Sequence, residues 1–269
     1  MPLFTGASAW ARVGASDRLD RIGIQLYSLR RALATDFEGT LAQVATIGYR
    51  EVEFAGYYDR TPSQVRAVLD RTGLNAPSAH VPISLLRENW PKTLDAARSM
   101  GHRYLIVAWI PEDDRATADR VMRIADLFQK AGAEAKAEGL RFGFHNHDVD
   151  FMPIGGRGGK APFDVLLEQT DPGAVAFELD LYWIIKAGHD PLAYFARYPG
   201  RFELVHVKDS AGPPEHRMVD VGRGTIDFRR IFARRREAGI QHFFVEHDDP
   251  PDPLGFARAS YRFLSRLEF

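Results

Sequence analysis

The chain has 269 residues, of which 45% are hydrophobic and 26% are charged, and its formal net charge is −1. This composition is that of a soluble globular protein, and the length suits one α/β barrel with a large core. The absence of cysteine excludes disulfides and thiolate metal sites, while the near-neutral charge and the lack of a ~20-residue apolar run argue against nucleic acid and membranes as partners.

The first 20 residues are predicted to be a leader that precedes a domain spanning 21–269. Residues 3–16, LFTGASAWARVGAS, are rich in small residues and contain the pattern Ala9-Trp10-Ala11, but no basic segment precedes them. Two interpretations stay open, a disordered leader and the end of an export signal. We expect a soluble cytoplasmic protein under the first interpretation and a periplasmic one under the second.

After the leader, short segments of strand-forming residues alternate with amphipathic segments rich in Ala, Leu and Arg. Eight strands are predicted, at 22–27, 50–55, 75–81, 103–109, 140–147, 174–180, 202–208 and 242–247. Helices are predicted between them, at roughly 36–47, 61–72, 88–99, 114–138, 162–170, 190–198, 226–238 and 253–267. Thr61-Pro62 and Asp190-Pro191 are typical of helix starts, and glycines follow the predicted helix ends.

Strands that alternate with helices predict βαβ units and a parallel sheet. Eight such units in about 250 residues predict a single closed (β/α)₈ barrel of the TIM type. The competing doubly wound sheet would normally carry a glycine-rich phosphate loop after its first strand. Here QLYSLRRALATDF follows that strand, and VGRGTID at 221–227 contains only a lone G-x-G.

Polar residues mark the ends of seven of the eight predicted strands. Active sites of parallel barrels form at the C-terminal ends of the strands. A His, an Asp, a His and a Glu on strands five to eight would surround one point and suit Mn²⁺, Co²⁺, Zn²⁺ or Mg²⁺. We therefore expect one divalent metal ion as the cofactor.

Six motifs carry a resemblance to a known family: GIQLYSLR (23–30), FHNHDVDF (144–151), FELDLYW (177–183), HVKD (206–209), GRGTIDF (222–228) and VEHD (245–248). Over about residues 20–267 the chain resembles the xylose isomerase-like TIM barrels, the sugar phosphate isomerase/epimerase superfamily that also contains endonuclease IV. The HNH and HVKD motifs point to one subgroup. The resemblance implies a metal ion held by four residues, which by position are His147, Asp180, His206 and Glu246. His145 and Asp150 are the alternatives to His147.

The sequence departs from the family at His147, where its epimerases usually have Glu. Epimerisation in the family needs two carboxylates that exchange a proton with the carbon α to a carbonyl. Glu246 is the clear candidate here, and Asp150 is the candidate second acid. Without Asp150, a one-base elimination is favoured, as in the family's inosose dehydratases and keto-glycoside lyases.

Further site residues are predicted at the same end of the barrel. Lys208 shares the face of His206 and is predicted to stabilise an enolate oxygen, the alternative being an ion pair with Asp209. Substrate contacts are predicted for Glu53, His80, His145, Trp109, Trp183 and Arg223. For each of these, a structural role in the core or at the rim is the alternative.

The leading hypothesis is a metal-dependent sugar isomerase or epimerase that abstracts a proton α to the carbonyl of a sugar or keto-sugar. The alternatives are a keto-sugar lyase or hydratase and a non-catalytic sugar-binding barrel. An endonuclease-IV-like enzyme is disfavoured because DNA binding calls for a basic surface. We expect a small-molecule carbohydrate substrate, and assembly into a homo-oligomer stays open.

Overall fold

The computed structural model describes residues 17–156 and 158–269. Residues 1–16, most of the predicted leader, therefore lie outside the described residues. Asp17 and Phe269 pair their backbones through two hydrogen bonds of 2.9 and 3.0 Å, so the first and last described residues lie side by side.

Eight parallel strands form the barrel. They are β1 (Gly23–Gln25), β2 (Glu51–Phe54), β3 (Asn75–Val81), β4 (Tyr104–Val107), β5 (Arg141–His145), β6 (Val175–Asp180), β7 (Phe202–Val207) and β10 (His242–Val245). A short antiparallel hairpin, β8 (Asp209–Ser210) with β9 (Met218–Val219), lies after β7. The barrel closes in the order β1-β10-β7-β6-β5-β4-β3-β2, which confirms the predicted fold.

Helices surround the strands. They are α1 (Arg30–Thr35), α2 (Phe37–Ile47), α3 (Pro62–Thr72), α4 (Ser84–Glu88), α5 (Trp90–Met100), α6 (Glu112–Arg115), α7 (Ala118–Ala137), α8 (Pro162–Gln169), α9 (Leu181–Lys186), α10 (Pro191–Arg197), α11 (Phe228–Phe232), α12 (Arg235–Ala238) and α13 (Pro253–Leu264). Two 3₁₀ turns, Leu26–Leu29 and Asp148–Phe151, follow β1 and β5. None of the described helices combines the length and apolar character needed to cross a bilayer.

Some element boundaries differ from the prediction. The helices predicted at 114–138 and 226–238 are each divided in two, and the sequence pattern does not predict α1, α4 or α9. Helix α9 follows β6 without a loop, because Asp180 ends the strand and also accepts hydrogen bonds from two backbone N–H groups of the first helical turn. The apolar segment LYWIIK therefore carries no turn signal that would separate strand from helix.

Helix starts and ends follow the predicted signals elsewhere. The side chains of Thr61 and Asp190 accept backbone hydrogen bonds at the starts of α3 and α10. Gly73, Gly101 and Gly239 end α3, α5 and α12 in the left-handed conformation that glycine adopts without strain. These local signals determine the residues at which these helices begin and end.

An apolar layer closes the inside of the barrel below its C-terminal end. Tyr104, Ile106, Leu204 and Phe244 form this inner cluster, while a much larger apolar core fills the space between strands and helices. Glycine is required at position 23, since a Cβ there would lie 2.5 Å from the Phe244 ring. The inward residues above this layer are polar, and they build the candidate site.

Candidate active site

A cavity of about 260 Å³ opens at the C-terminal end of the barrel. Residues from most of the strand ends line it: Tyr27, Ala55, His80, Ala108, Trp109, His145, His147, Lys208, Glu246 and Asp248. The rings of Tyr27 and Trp109 are partly exposed. Titratable groups and two accessible aromatic rings therefore share one cavity at the end of the barrel where active sites form.

Three of the predicted metal ligands converge beside this cavity. Asp180 ends β6, His206 lies on β7, and Glu246 follows β10. Their ligand atoms lie within 4.8 Å of one another: His206 Nδ1 is 2.6 Å from Glu246 Oε2 and 3.9 Å from Asp180 Oδ2. The three residues meet although they are far apart in sequence, because Asp180 pairs directly with His206 across adjacent strands and Glu246 follows the neighbouring strand.

The two histidines of the HNH motif occupy different depths. His145 is buried, and its Nε2 lies 3.8 Å from Asp180 Oδ2. The His147 ring, nearer the surface, contacts Trp109 and Trp183 with centroid distances of 5.3 and 5.5 Å. His145 therefore lies within 4 Å of the Asp180 carboxylate, whereas the His147 ring packs against two tryptophan rings.

Two further carboxylates lie on the other side of His206. Its Nε2 is 2.7 Å from Glu53 Oε2 and 3.0 Å from Glu178 Oε2. His80 Nε2 contacts the same two oxygens, at 3.2 Å from Glu53 and 2.8 Å from Glu178. His80, His145, Glu178 and His206 make a second group of donor atoms within 4.8 Å of one another, so His206 joins two clusters through its two ring nitrogens.

Lys208 forms ion pairs with three carboxylates. Its Nζ lies 3.0 Å from Asp180 Oδ2, 2.8 Å from Glu246 Oε2 and 2.7 Å from Asp248 Oδ1. The side chain is almost fully buried. The structure does not contain the ion pair with Asp209 considered from sequence, because Asp209 turns away and accepts backbone hydrogen bonds from the loop at 222–226.

The protonation states follow from this packing. Burial would lower the pKa of Lys208, but the three carboxylates raise it well above its usual value. Burial would raise the pKa of Glu246, but Lys208 and His206 hold it below its usual range. Burial raises the pKa of Asp180 to about 6 despite the same two cations. Burial also lowers the pKa of His147 to about 3, assisted by the charge of Lys208, which leaves that imidazole neutral.

The remaining predicted residues fall into two groups. Trp109 lines the cavity, and Trp183 lies behind it, where the Lys208 ammonium is 5.6 Å from the ring centroid. Asp150 is buried and accepts a hydrogen bond of 2.8 Å from the backbone N–H of His147. Arg223 is exposed, lies 3.5 Å from Asp220 and lines a separate cleft. The structure therefore brings Trp109 and Trp183 to the site, but not Arg223.

Sequence reasoning missed three side chains at this site. Asp248 lines the cavity and binds Lys208, and the VEHD motif, in which it follows Glu246 by two residues, is the signal that points to it. Glu178 on β6 and Gln25 on β1 both contact the buried cluster, Glu178 through His206 and Gln25 through Glu53. Period-two alternation places Glu178 on the face of Asp180, which is the available signal.

The donor set fits a divalent metal ion. Oδ2 of Asp180 is buried 3.0 Å from the Lys208 ammonium, and Nδ1 of His145 is buried 3.2 Å from Glu178 Oε2, but neither contact has the geometry of a hydrogen bond. Buried polar atoms of this kind are costly unless something else binds them. Carboxylate and imidazole donors suit Zn²⁺, Mn²⁺ and Co²⁺. Asp180, His206 and Glu246 can therefore hold such an ion where the cavity meets the strand ends.

Comparison with models of protein families shows the family to which this chain belongs. The family described as xylose isomerase-like TIM barrel matches residues 41–267. The chain belongs to this family. The match covers seven of the eight barrel strands and every residue of the candidate site except Gln25 and Tyr27.

Proteins similar to this chain are named for more than one activity. The inosose dehydratase of Lacticaseibacillus casei is 26% identical, with 85% of this chain and 88% of that protein covered. A sugar phosphate isomerase/epimerase structure from Parabacteroides distasonis has a TM-score of 0.82 and 25% identity, covering 97% of this chain and 98% of that one. The IolI protein, solved with a zinc atom, shares the fold at 10% identity and a TM-score of 0.71, covering 90% of this chain and 95% of that one.

Proposed function

We propose that this protein is a divalent-metal-dependent lyase of the dehydratase type that acts on a keto-sugar or a cyclic polyhydroxy ketone. The observation that carries the proposal is the convergence of Asp180, His206, Glu246 and Lys208 on one side of a small cavity. The similarity to inosose dehydratases supports elimination of water over epimerisation.

The metal would be held by Asp180, His206 and Glu246, with His145 as the fourth ligand in place of the predicted His147. His145 is favoured because its Nε2 lies 3.8 Å from Asp180 Oδ2, whereas the His147 ring lies against Trp109 and Trp183. When bound, such an ion polarises the ketone oxygen and stabilises negative charge on it.

In the proposed reaction a base removes the proton from the carbon next to the ketone, and the C–H electrons form an enolate. The ketone then re-forms as the C–O bond on the next carbon breaks, and the departing hydroxide takes up a proton and leaves as water. Glu246 is the carboxylate proposed to take the proton, since it lines the cavity and stays ionised.

Lys208 has the complementary role. Its ammonium is held protonated by Asp180, Glu246 and Asp248, so it cannot serve as a base. A buried positive charge on the cavity wall stabilises negative charge as it develops on an enolate oxygen or on the departing hydroxyl. His147 is neutral and can accept a hydrogen bond from a substrate hydroxyl.

Epimerisation is the second candidate function because the cavity contains a second carboxylate. Asp248 lines it together with Glu246, and a two-base proton exchange needs two acidic groups. This pair replaces the pair of Glu246 and Asp150 expected from sequence, since Asp150 is bonded to the backbone of His147.

The test is a product assay on the metal-loaded protein in D₂O with keto-hexoses and inosose. Elimination creates a conjugated ketone that is followed by ultraviolet absorbance, and epimerisation places solvent deuterium in recovered ketone without that absorbance. We expect absorbance that Asp180→Asn reduces by roughly 1000-fold, while Asp190→Asn, at the exposed start of α10, leaves it unchanged. Deuterium exchange without the absorbance would establish the second candidate. If neither absorbance nor deuterium exchange is observed, both candidate functions are contradicted.

A further inference from the structure

Glu53 does not reach the cavity as a substrate contact would. Its side chain is fully buried on β2, and it is absent from the residues that line the cavity. Both of its oxygens are already engaged: Oε1 accepts a hydrogen bond of 2.5 Å from Ser78 Oγ, and Oε2 accepts one of 2.7 Å from Gln25 Nε2. A sugar hydroxyl would find no free acceptor on this carboxylate.

The remaining contacts of Glu53 are with two histidines, His80 at 3.2 Å and, nearer, His206. Oε2 lies 2.7 Å from His206 Nε2, while the other ring nitrogen, Nδ1, faces Glu246 and Asp180. A carboxylate accepts hydrogen bonds and cannot donate them. His206 must therefore carry a proton on Nε2, and the same rule puts a proton on Nδ1, which lies 2.6 Å from Glu246 Oε2. A metal ion bound at Nδ1 would replace that proton, and the Nε2–H donated to Glu53 would remain.

We propose that Glu53 is a positioning residue that fixes the tautomer and the ring orientation of His206, so that Nδ1 is presented to the metal. This inference rests on the metal site proposed above. A carboxylate that accepts from the free N–H of a ligating histidine orients the ring and raises its basicity, and its loss typically weakens metal binding about 10- to 100-fold.

Glu53 is better placed for this role than Glu178, which also approaches His206 Nε2, at 3.0 Å. Glu53 is held by Ser78 from β3 and Gln25 from β1, the strands on either side of its own. The Glu178 Oε1 atom has no hydrogen-bond partner among the described residues. The carboxylate that is fixed from two sides is the one able to hold the imidazole in a single orientation.

The chain supplies a matched control on the same strand. Glu51 lies two residues before Glu53, is equally buried, and its Oε2 is 2.8 Å from Nδ1 of a histidine, His242. This pair lies below the apolar layer, and none of the described residues with which it forms an ion pair is a proposed ligand. Glu51→Gln and Glu53→Gln therefore remove the same kind of buried carboxylate from opposite sides of that layer.

The experiment measures Zn²⁺ affinity of the full chain by competition with a chromophoric chelator, after thermal denaturation has shown that each variant folds. We expect Glu53→Gln to bind about 10- to 100-fold more weakly than the parent and Glu51→Gln to remain within about twofold. In the Zn²⁺-loaded parent labelled with ¹⁵N-histidine, an exchange-protected imidazole N–H of His206 is expected, and Glu53→Gln should shift or lose it.

The outcomes distinguish failure of the positioning role of Glu53 from failure of the proposed metal site. Parent and Glu53→Gln proteins that bind Zn²⁺ equally would overturn the positioning role and leave the metal site intact, whereas a parent that binds no Zn²⁺ would overturn both. If Glu53→Gln does not fold, Ser78→Ala takes its place, because it removes one of the two donors that hold Glu53. An affinity lower by about threefold is then expected, and an unchanged affinity contradicts the positioning role.

Discussion

Lys208 is a buried cation that lines the cavity. Its ammonium is shared among Asp180, Glu246 and Asp248. It balances their charges inside the protein, but it also occupies oxygens that a metal ion would bind. A buried charge network of this kind is costly to break from one side, since the partners are left uncompensated.

Replacing Lys208 with Met should separate metal binding from turnover. Without metal, Lys208→Met is expected to lose about 3–5 kcal/mol of unfolding free energy, because buried carboxylates lose their counter-charge. Its Zn²⁺ affinity should rise, since the competing ammonium is gone, while turnover should fall by about 100-fold or more. Chemical denaturation, chelator competition and the ultraviolet assay measure the three effects.

Lys186→Met is the control for that variant. Lys186 also lies over the Trp183 ring, at 4.4 Å, but it pairs with Asp148 at the surface. Exposed pairs contribute about 1 kcal/mol or less, so both stability and turnover should change little. A Zn²⁺ affinity that falls in Lys208→Met would contradict competition between the ammonium and the metal.

At the scale of elements, the connection after β7 is organised by one buried side chain. Oδ2 of Asp209 accepts hydrogen bonds of 2.9 Å from the backbone of Gly222 and of Gly224, and Oδ1 accepts one of 2.8 Å from Ser210 and a longer one from Ile226. The GRGTIDF motif therefore supplies backbone N–H groups to a carboxylate of its own chain. This explains Gly224 without a phosphate ligand, since a Cβ there would lie 2.2 Å from Asp209 Oδ1, while a Cβ at Gly222 would lie 2.3 Å from the Phe263 ring.

Removal of Asp209 should loosen this connection. Asp209→Ala leaves several buried N–H groups without an acceptor, at a cost of about 1–3 kcal/mol for each unsatisfied group, and amide hydrogen exchange at Gly222 and Gly224 should become faster. Asp227→Ala, which removes the cap of the exposed start of α11, should cost only about 1 kcal/mol. Equal exchange rates at these glycines in the two variants would show that Asp209 does not hold the loop.

At the scale of the whole molecule, the barrel divides into polar ends and an apolar middle. The N-terminal end carries Glu51 with His242, and the C-terminal end carries the carboxylates of Glu53, Asp180 and Glu246. These acids are deeply buried, so their charges need histidine, lysine or a metal ion as partners. We therefore expect a cation bound at the C-terminal end to stabilise the folded barrel.

Metal binding should accordingly stabilise the entire fold. At a free Zn²⁺ concentration of 100 times its Kd, the unfolding free energy should rise by about 2.7 kcal/mol, which corresponds to about 5 to 10 °C in Tm for a chain of this size. Calorimetry of the chelator-treated protein with and without Zn²⁺ measures the shift. The double variant Asp180→Asn/His206→Asn should show none, and a parent without a shift would contradict a site specific to the folded state.

The barrel was predictable because its signals are local. Alternation of strand and helix patterns, the caps at Thr61 and Asp190, and the glycines at helix ends each depend on a few neighbouring residues. Period two then placed His206 and Lys208 on one face of β7, and both point to the site. Boundaries were less predictable where a strand runs directly into a helix, as at Asp180.

Which polar residues touch each other was decided only by the tertiary structure. The sequence by itself determined that histidines and acids end the strands, because composition and periodicity are properties of one segment. Strand register and side-chain depth depend on all eight strands at once, and they put His145 beside Asp180, bury Glu53 behind His206 and direct Lys208 to Asp248 rather than Asp209. The contacts of Glu53 with His206 and of Lys208 with Asp248 join residues 153 and 40 positions apart, so no local pattern encodes them.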